Sequence, residues 1–365
     1  MIKINYFKRD TEKPADLQAG GNSPRPMSIK QSVSIPIWVK VLISLAPAMV
    51  FLIFFTFYPI INTSIIAFIE NFGWQKNAGS FAISNFFQQI ANANDPLLLE
   101  PPAMPYFSLD NFGLVLTDPI FLDSLFNTAI LTVISVPLTI IVSLMLSVAL
   151  NSIKAFRGFF QTIFFLPYVT NAIALGMVFN VLFSPEPGGI MNQIIQLFGG
   201  SPVSWVDPAA HELYDVIKLS KFSMGVVLIA QSVWAGLAFK ILVFMSGLAT
   251  IDKQYYDAAK IDGTGRARIF SKITVPLLSP QIFYITITSF IGAFKMYSSI
   301  ISIVGQGPLN FGGTSGTLWI TVVGYIYKNR QTDLPKAAAG AVILLIIVLL
   351  ITLVQMQVSK KRVHY

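Results

Sequence analysis

The protein has 365 residues, of which 54% are hydrophobic and only 12% are charged. A soluble domain is on average roughly 45–50% apolar and about 25% charged, so this composition excludes an ordinary soluble core and predicts an integral membrane protein. The chain has no cysteine and only two histidines, which excludes disulfides, cysteine-ligated metals and histidine-rich metal sites. Its net charge of +8 does not indicate nucleic-acid binding, because the basic residues gather in particular loops between apolar runs.

The N-terminal third predicts a tail, a first membrane span and a large loop. Residues 1–36 are polar and predict a cytoplasmic tail rather than a cleavable signal peptide, because the apolar run that follows is too long for one. That run, 37–61, has the ~20 apolar residues that a helix needs to cross a bilayer. Residues 62–123 contain Asn, Gln, Pro and aromatic side chains and predict an extracellular loop or small cap.

Five more apolar runs of spanning length follow. Helices satisfy their own backbone hydrogen bonds inside lipid and open sheets do not, so the chain is predicted to be all-α with about six transmembrane helices. A shorter run, 317–327, predicts an interfacial or re-entrant helix, and 359–365 predicts a short tail. The five spanning runs are 124–150, 159–183, 223–249, 281–304 and 337–356.

Lysine and arginine predict the orientation of these spans, because they are enriched in cytoplasmic loops. Of the 25 basic residues, 17 fall in four segments that the spans place on one side of the membrane: 1–40, 151–158, 250–280 and 359–365. Both termini and the loop 250–280 are therefore predicted to face the cytoplasm.

The loop 250–280 is unusually polar for this chain. Residues 252–261 predict a helix, Asp262-Gly263 a turn, and 264–274 a second helix with apolar residues at helical spacing. Pro276 and Pro280 are predicted to end this cytoplasmic piece and to return the chain to the membrane. The second helix suits docking into the groove of a cytoplasmic partner, or alternatively lying on anionic lipid.

The residues D-A-A-x-x-D-G at 257–263, followed by Phe270, Ile273, Pro276 and Pro280, resemble the E-A-A-x-x-D-G-A…F…I…P…P signature of importer-type ABC permeases. Asp257 stands where that family usually has Glu, and Thr264 where it has Ala. The resemblance extends from about residue 108 to the C-terminus and is closest to the carbohydrate-uptake branch, in the subunit type of the maltose and glycerol-3-phosphate permeases. Further similar stretches are S-L-D-N-F at 108–112, L-F-N-T at 125–128, R-G-F-F-Q-T-I-F-F-L-P at 157–167, V-W-A-G-L-A-F at 233–239 and A-A-A-G-A-V-I-L-L at 337–345.

The resemblance implies an inner-membrane permease subunit, with a permease core at 124–358, that transports a sugar or oligosaccharide. It implies three kinds of partner: cytoplasmic ATP-binding subunits, a second homologous permease subunit and a substrate-binding protein outside the membrane. The chain contains no G-x-x-x-x-G-K-[ST], so ATP-Mg is expected in the partner ATPase and no cofactor in this chain. The residues implied to couple the permease to the ATPase are Asp257, Ala258, Ala259, Asp262, Gly263, Gly265, Phe270, Ile273 and Pro276.

Polar residues inside the predicted spans are candidates for a substrate path, because ionisable groups in lipid are usually functional. Lys295 is the clearest, although pairing with a backbone carbonyl or a partner chain's acid remains an equal alternative. Lys240 lies nearer the cytoplasm, where its ammonium is able to snorkel to the interface. The remaining path candidates are Tyr297, Asn171, Trp234 and Gln231, with a structural role favoured for Asn171.

The sequence disfavours two other classes of membrane protein. A self-contained secondary transporter driven by protons or sodium would favour carboxylates buried in its spans, but all 17 acidic residues fall in predicted loops or tails. A membrane-embedded enzyme would cluster His, Asp or Glu within the spans, and the sequence shows no such cluster. Neither catalytic nor metal-binding residues are therefore predicted.

Overall fold

The structure, a computed structural model, describes residues 36–70, 72, 87, 90–91, 105–153, 157–206, 214–304 and 319–362. The predicted N-terminal tail before residue 36, most of the outer loop between 71 and 104, and the last three residues lie outside this part of the chain. The chain divides into two compact units, Met1–Thr56 and Phe57–Tyr365.

In the first unit, helix α1 runs Ile37–Leu52 and is followed by a π-helical turn, Ile53–Phe57. Large apolar side chains such as Trp38 and Phe51 are exposed along it, and none of its side chains that the structure describes is buried. A helix that is apolar and unburied along its length suits contact with lipid tails.

The second unit is almost entirely helical. A short antiparallel pair of strands, β1 Ile69–Glu70 and β2 Tyr106–Phe107, joins its outer segments, with Ile69 opposite Phe107. Its helices are α2 Tyr58–Ala67, α3 Asp110–Thr117, α4 Pro119–Ser152, α5 Arg157–Val169, α6 Ala172–Leu182, α7 Ile190–Leu197, α8 Tyr214–Thr250, α9 Lys253–Ile261, α10 Arg266–Ile269, α11 Val275–Leu277, α12 Ser279–Phe294, α13 Ser298–Val304, α14 Val322–Asn329 and α15 Leu334–Arg362. A π-helical turn, Phe270–Thr274, joins α10 to α11.

The two longest helices, α4 and α8, pack together and form the centre of this unit. One face of α4 carries small hydroxyl side chains every three or four residues, all of them buried: Ser124, Thr128, Thr132, Ser135, Thr139, Ser143 and Ser147. Small residues let membrane helices approach closely. At Gly236 on α8 an added Cβ would lie 3.1 Å from Cγ2 of Thr139, so that α8 comes close to this face at Gly236.

Two of the predicted spans are broken rather than continuous. The run 159–183 forms α5 and α6, which meet at an angle of 104°. The break has a local cause: Oδ1 of Asn171 accepts a hydrogen bond from the amide of Ile173 at 2.8 Å and so caps a new helix start. The run 281–304 forms α12 and α13, separated by residues 295–297.

A partly buried ion cluster ties together the starts of α4 and α15 and helix α14. Oδ2 of Asp118 lies 2.8 Å from Nζ of Lys336 and accepts a hydrogen bond from the Tyr325 hydroxyl at 2.8 Å. Oδ1 of Asp118 caps α4 by accepting from the amide of Ile120 at 2.9 Å. The pKa of Asp118 is raised by burial and lowered by these hydrogen bonds and by the charge of Lys336, and the net shift is downward.

The predicted helical membrane fold is confirmed at this coarse level. Among the described residues, four helices are long and apolar enough to cross a bilayer: Trp38–Ala67, Pro119–Ser152, Lys221–Thr250 and Leu334–Ser359. The number rises to six if each of two bent helix pairs counts as one span, the pairs being Gly158–Val169 with Ala172–Leu182 and Arg266–Leu277 with Ser279–Phe294.

Candidate functional site

The segment between α8 and α12 folds as a helix, a tight turn and a second helix. Helix α9 begins after Asp252, whose Oδ1 accepts from the amide of Gln254 at 3.0 Å. It ends at Ile261, two residues before Gly263, which has a φ of +66°. The amide of Gly263 donates to the carbonyl of Lys260 at 3.0 Å, and that of Thr264 to the carbonyl of Ala259 at 2.9 Å. This pair of bonds is a Schellman motif, and its left-handed position favours glycine, which has no Cβ.

Helix α9 exposes an apolar strip. Tyr255, Ala258 and Ile261 lie at i, i+3 and i+6 and are exposed, with Ile261 87% exposed. Ala259, in contrast, is buried within its own chain. The two adjacent alanines, Ala258 and Ala259, therefore do not lie on the same exposed face of α9. Asp257 is exposed and lies 3.0 Å from Nζ of Lys260 in an ion pair of one helical turn.

The second helix of the segment packs inward. Gly265 precedes it with a φ of −66°, and the helical run continues from α10 through the π-turn to α11, with Pro276 in the first turn of α11. The side chain of Phe270 packs on a cluster built around Phe244, Leu278 and Ile285. Phe270 thus packs on the chain's own core, and both it and Ile273 are half-buried; that this helix offers its apolar edge to a partner stays a prediction.

The coupling segment, residues 252–277, is joined closely to the membrane helices. An added Cβ at Gly247 of α8 would lie 2.8 Å from Cδ2 of Leu278, which is fully buried directly after α11. The Tyr256 hydroxyl lies 3.3 Å from Oγ1 of Thr274 and links α9 to the helical run behind it. The hydrogen bond of Tyr256 and the packing of Phe270 thus join α9 to α8 and α12.

A cavity of about 450 Å³ lies between α4, α8, α12 and the break after α12. Its lining is rich in hydroxyl groups and includes two aromatic rings, those of Phe239 and Tyr297. It also includes the ammonium-bearing side chains of two lysines, and no carboxylate. The polar lining residues are Ser135, Thr139, Ser232, Lys240, Thr288, Ser289, Lys295, Tyr297, Ser298 and Ser299.

The break that brings Lys295 to this cavity is held by α14 and the residue before it. The Thr321 hydroxyl donates to the free carbonyl of Met296 at 2.9 Å, which satisfies a backbone group that an unbroken helix would have paired. The rings of Tyr297 and Tyr327 have centroids 4.7 Å apart, and the guanidinium of Arg330 lies 3.7 Å from the Tyr327 ring centroid.

The structure places the five predicted path residues in different surroundings. Lys295 and Tyr297 line the cavity, whereas Gln231, Trp234 and Asn171 are not part of its lining. Asn171 acts as a helix cap, in line with the structural role favoured for it. Gln231 is 1% exposed, and neither of its amide atoms has a hydrogen-bond partner among the described residues.

Sequence reasoning missed most of the cavity. Lys240, considered only as a residue able to snorkel, borders the cavity, and its Nζ donates to the carbonyl of Gly236 at 3.2 Å. Helical side chains lean towards the N-terminus of their helix, which for α8 is away from the coupling segment. Ser135, Thr139 and Ser232 carried a usable signal, since Ser135 and Thr139 lie four residues apart within an apolar run.

Comparison with known proteins gives concordant results. Residues 136–364 match the family described as binding-protein-dependent transport system inner membrane component. The chain is 28% identical over 286 residues to the arabinooligosaccharides transport system permease protein AraP of Halalkalibacterium halodurans, covering 77% of this chain and 84% of the relative. It is 30% identical over 261 residues to the sn-glycerol-3-phosphate transport system permease protein UgpA of Brucella abortus, covering 71% and 83% respectively.

The fold is shared with a solved transporter. A chain in the crystal structure of a bacterial alginate ABC transporter, in complex with an alginate pentasaccharide-bound periplasmic protein, matches with a TM-score of 0.66 and 17% sequence identity. The match covers 89% of this chain and 94% of that chain.

Proposed function

Because the chain belongs to the family of binding-protein-dependent transport system inner membrane components, we propose that it forms the substrate path of an ATP-driven importer for a sugar or oligosaccharide. The chain is a multi-pass membrane permease component and not an enzyme. A separate ATPase on the cytoplasmic side supplies the free energy, a second permease subunit completes the path, and an extracellular binding protein delivers the cargo. Both termini face the cytoplasm.

The coupling segment is the observation that carries this proposal. Helix α9 exposes Ile261 and an apolar strip on one side, while Tyr256 links it to Thr274 in the helical run whose Phe270 packs on α8 and α12. An exposed apolar strip on a short helix suits docking into a groove of a partner protein. Because the segment is packed against the membrane helices, closure of the ATPase moves it as a rigid lever and opens the cavity to alternate sides.

The proposed cargo rests on the cavity and on the relatives. The cavity combines two aromatic rings with many hydroxyl groups, the mixture that holds carbohydrate in small-molecule sites. The relatives are named for transport of arabinooligosaccharides and of sn-glycerol-3-phosphate. Lys295 and Tyr297 line the proposed path, whereas Gln231 and Trp234 lie outside the cavity lining.

Single cysteines test the docking of the coupling segment, because the natural chain has none. Ile261→Cys should react with a membrane-impermeant maleimide from the cytoplasmic face, and the co-expressed ATPase should protect it. Leu197→Cys, at the exposed end of α7, is the matched control: it should react only from the outer face and be indifferent to the ATPase. Reaction of Ile261→Cys from outside, or equal reaction with and without the ATPase, would contradict the proposal.

The competing function is an ion-coupled secondary transporter. Uptake into vesicles distinguishes the two, since the proposed importer transports only with its ATPase and ATP present. Uptake that persists without the ATPase and collapses with the proton or sodium gradient would favour the alternative.

A further inference from the structure

The cavity contains two positive charges that no acid of its own lining balances. Lys240 and Lys295 both line it, and its lining includes neither Asp nor Glu. We infer that the transported solute is anionic: a carbohydrate that carries a carboxylate or a phosphate group, whose charge the two ammonium groups bind in the path. This inference rests on the proposed function, because it takes the cavity to be part of the substrate path.

Within the part of the chain that the structure describes, Lys240 has no acidic partner that balances its charge. It lies in the interior of α8, and its ammonium donates a hydrogen bond to the carbonyl of Gly236 on the same helix. A carbonyl accepts a hydrogen bond but carries no net charge, so the ammonium stays uncompensated in a membrane-embedded helix. Such a charge is costly unless it serves a partner that arrives from the aqueous path.

Lys295 has a partial local explanation that Lys240 lacks. It follows α12 directly, where the partial negative charge of a helix C-terminus favours a cation. That effect is screened and weak at an exposed position, and Lys295 is exposed. It therefore does not explain why a second lysine from another helix borders the same cavity.

The ion pairs in the described part of the chain lie outside the cavity lining. The two ion pairs found there join Lys260 to Asp257 in the coupling segment and Lys336 to Asp118 in the outer ion cluster. Neither Lys240 nor Lys295 lies within 4 Å of a carboxylate among residues 36–70, 105–153, 158–206, 221–304 and 319–359.

The hydroxyl groups of the lining and the two lysines suit different parts of such a solute. The hydroxyls of Thr139, Ser232 and Thr288 each donate to a carbonyl of their own helix. Their oxygens remain able to accept from the hydroxyl donors of a sugar. A carboxylate or phosphate offers only acceptors at neutral pH, so it needs donors, and the ammonium groups supply them together with opposite charge.

Matched probe pairs test the sign of the charge. The full complex, with its second permease and ATPase, is placed in lipid nanodiscs, and binding is measured for trigalacturonate against its neutral methyl ester and for glucose 6-phosphate against glucose. The charged member of at least one pair should bind about tenfold or more tightly, and less so at high salt. The pair that discriminates tells whether the charge is a carboxylate or a phosphate.

Lysine variants tie this preference to the cavity. Lys240→Gln and Lys295→Gln should each weaken binding of the charged probe about tenfold, the usual scale of one charge-assisted hydrogen bond, and leave the neutral probe unchanged. Arginine at either position should retain the preference. Lys40→Gln removes the same charge from a residue that is not part of the cavity lining and should change nothing.

The inference is overturned if neither pair discriminates, or if the glutamine variants weaken charged and neutral probes alike. The second outcome is expected if an acid of the partner permease neutralises the lysines. ATPase-dependent uptake of a neutral oligosaccharide, unaffected by the lysine variants, would overturn the inference and leave the proposed function standing. Uptake without the ATPase would instead overturn the proposed function.

Discussion

Replacing Gly263 with serine should uncouple ATP hydrolysis from uptake. The residue has a φ of +66°, and a side chain in the left-handed region costs roughly 1–2 kcal/mol. An added Cβ would meet nothing within 4 Å, so the whole cost comes from backbone conformation. A penalty of that size reduces the population of the native turn about 5- to 30-fold relative to alternatives. The Schellman bonds that end α9 are then lost in part, and the exposed strip is misaligned.

Gly265 provides a matched control two residues away. It also has open space around its Cβ position, but its φ is −66° and it precedes the first turn of α10. Serine is preferred over glycine at such an N-cap position, so Gly265→Ser should be neutral or slightly stabilising. Among substitutions at Gly263, asparagine should be tolerated best and valine least, because asparagine visits the left-handed region and β-branched residues do not.

The assay is the number of substrate molecules transported per ATP hydrolysed in proteoliposomes that contain the whole complex. Gly263→Ser should lower this ratio several-fold while the assembled complex remains intact in size-exclusion chromatography. Equal ratios for Gly263→Ser and Gly265→Ser would refute the reasoning, since the two variants differ mainly in the backbone angle.

Two further predictions concern the ion cluster around Asp118 and the buried side-chain amides of Gln231 and Asn192. The pKa of Asp118 is raised by burial but lowered more by hydrogen bonds from Lys336 and Tyr325, so its contribution to stability is present at neutral pH and is lost as the pH falls below the ordinary value of 3.8 through the lower folded-state pKa. Asp118→Asn should lower stability by about 1–3 kcal/mol at pH 7 and flatten its decline below pH 3.8, which thermal unfolding at a series of pH values measures. Gln231→Leu should leave the melting temperature unchanged or raise it, because both amide atoms of Gln231 lack partners among the described residues. Asn192→Leu should instead lower the free energy of unfolding by about 2–4 kcal/mol, because the Asn192 amide bonds several backbone groups. Equal losses of stability would mean that Gln231 has a partner in the assembled complex.

The parts of the fold that depend on continuous apolar length were predictable. The runs 124–150, 223–249 and 337–356 lie within α4, α8 and α15, because lipid requires long uninterrupted helices and few sequences meet that requirement by chance. The turn at Asp262-Gly263 was predictable for a local reason, since glycine after a helix marks a left-handed end.

The breaks and the cavity were not predictable from apolar length. Hydropathy averages over a window and does not record chain direction, so the 104° bend at Asn171 leaves the run 159–183 looking like one span. Serine and threonine are nearly neutral in such averages, so hydropathy does not reveal the row of buried hydroxyl side chains on α4. The partner of the Met296 carbonyl is Thr321, which is distant in sequence and becomes a neighbour only after folding.

The position of α14 connects these observations. Thr321 precedes its first turn and Tyr327 lies within the helix. Both residues contact the break that places Lys295 and Tyr297 at the cavity. On its other side, the Tyr325 hydroxyl joins the ion cluster that also fixes the starts of α4 and α15. The short helix is thus held between the N-terminal ends of two long membrane helices and the wall of the cavity. A break in a membrane helix leaves backbone groups unpaired, and it persists only where neighbouring protein satisfies them. The cavity therefore owes its polar wall to α14 as much as to the residues that line it.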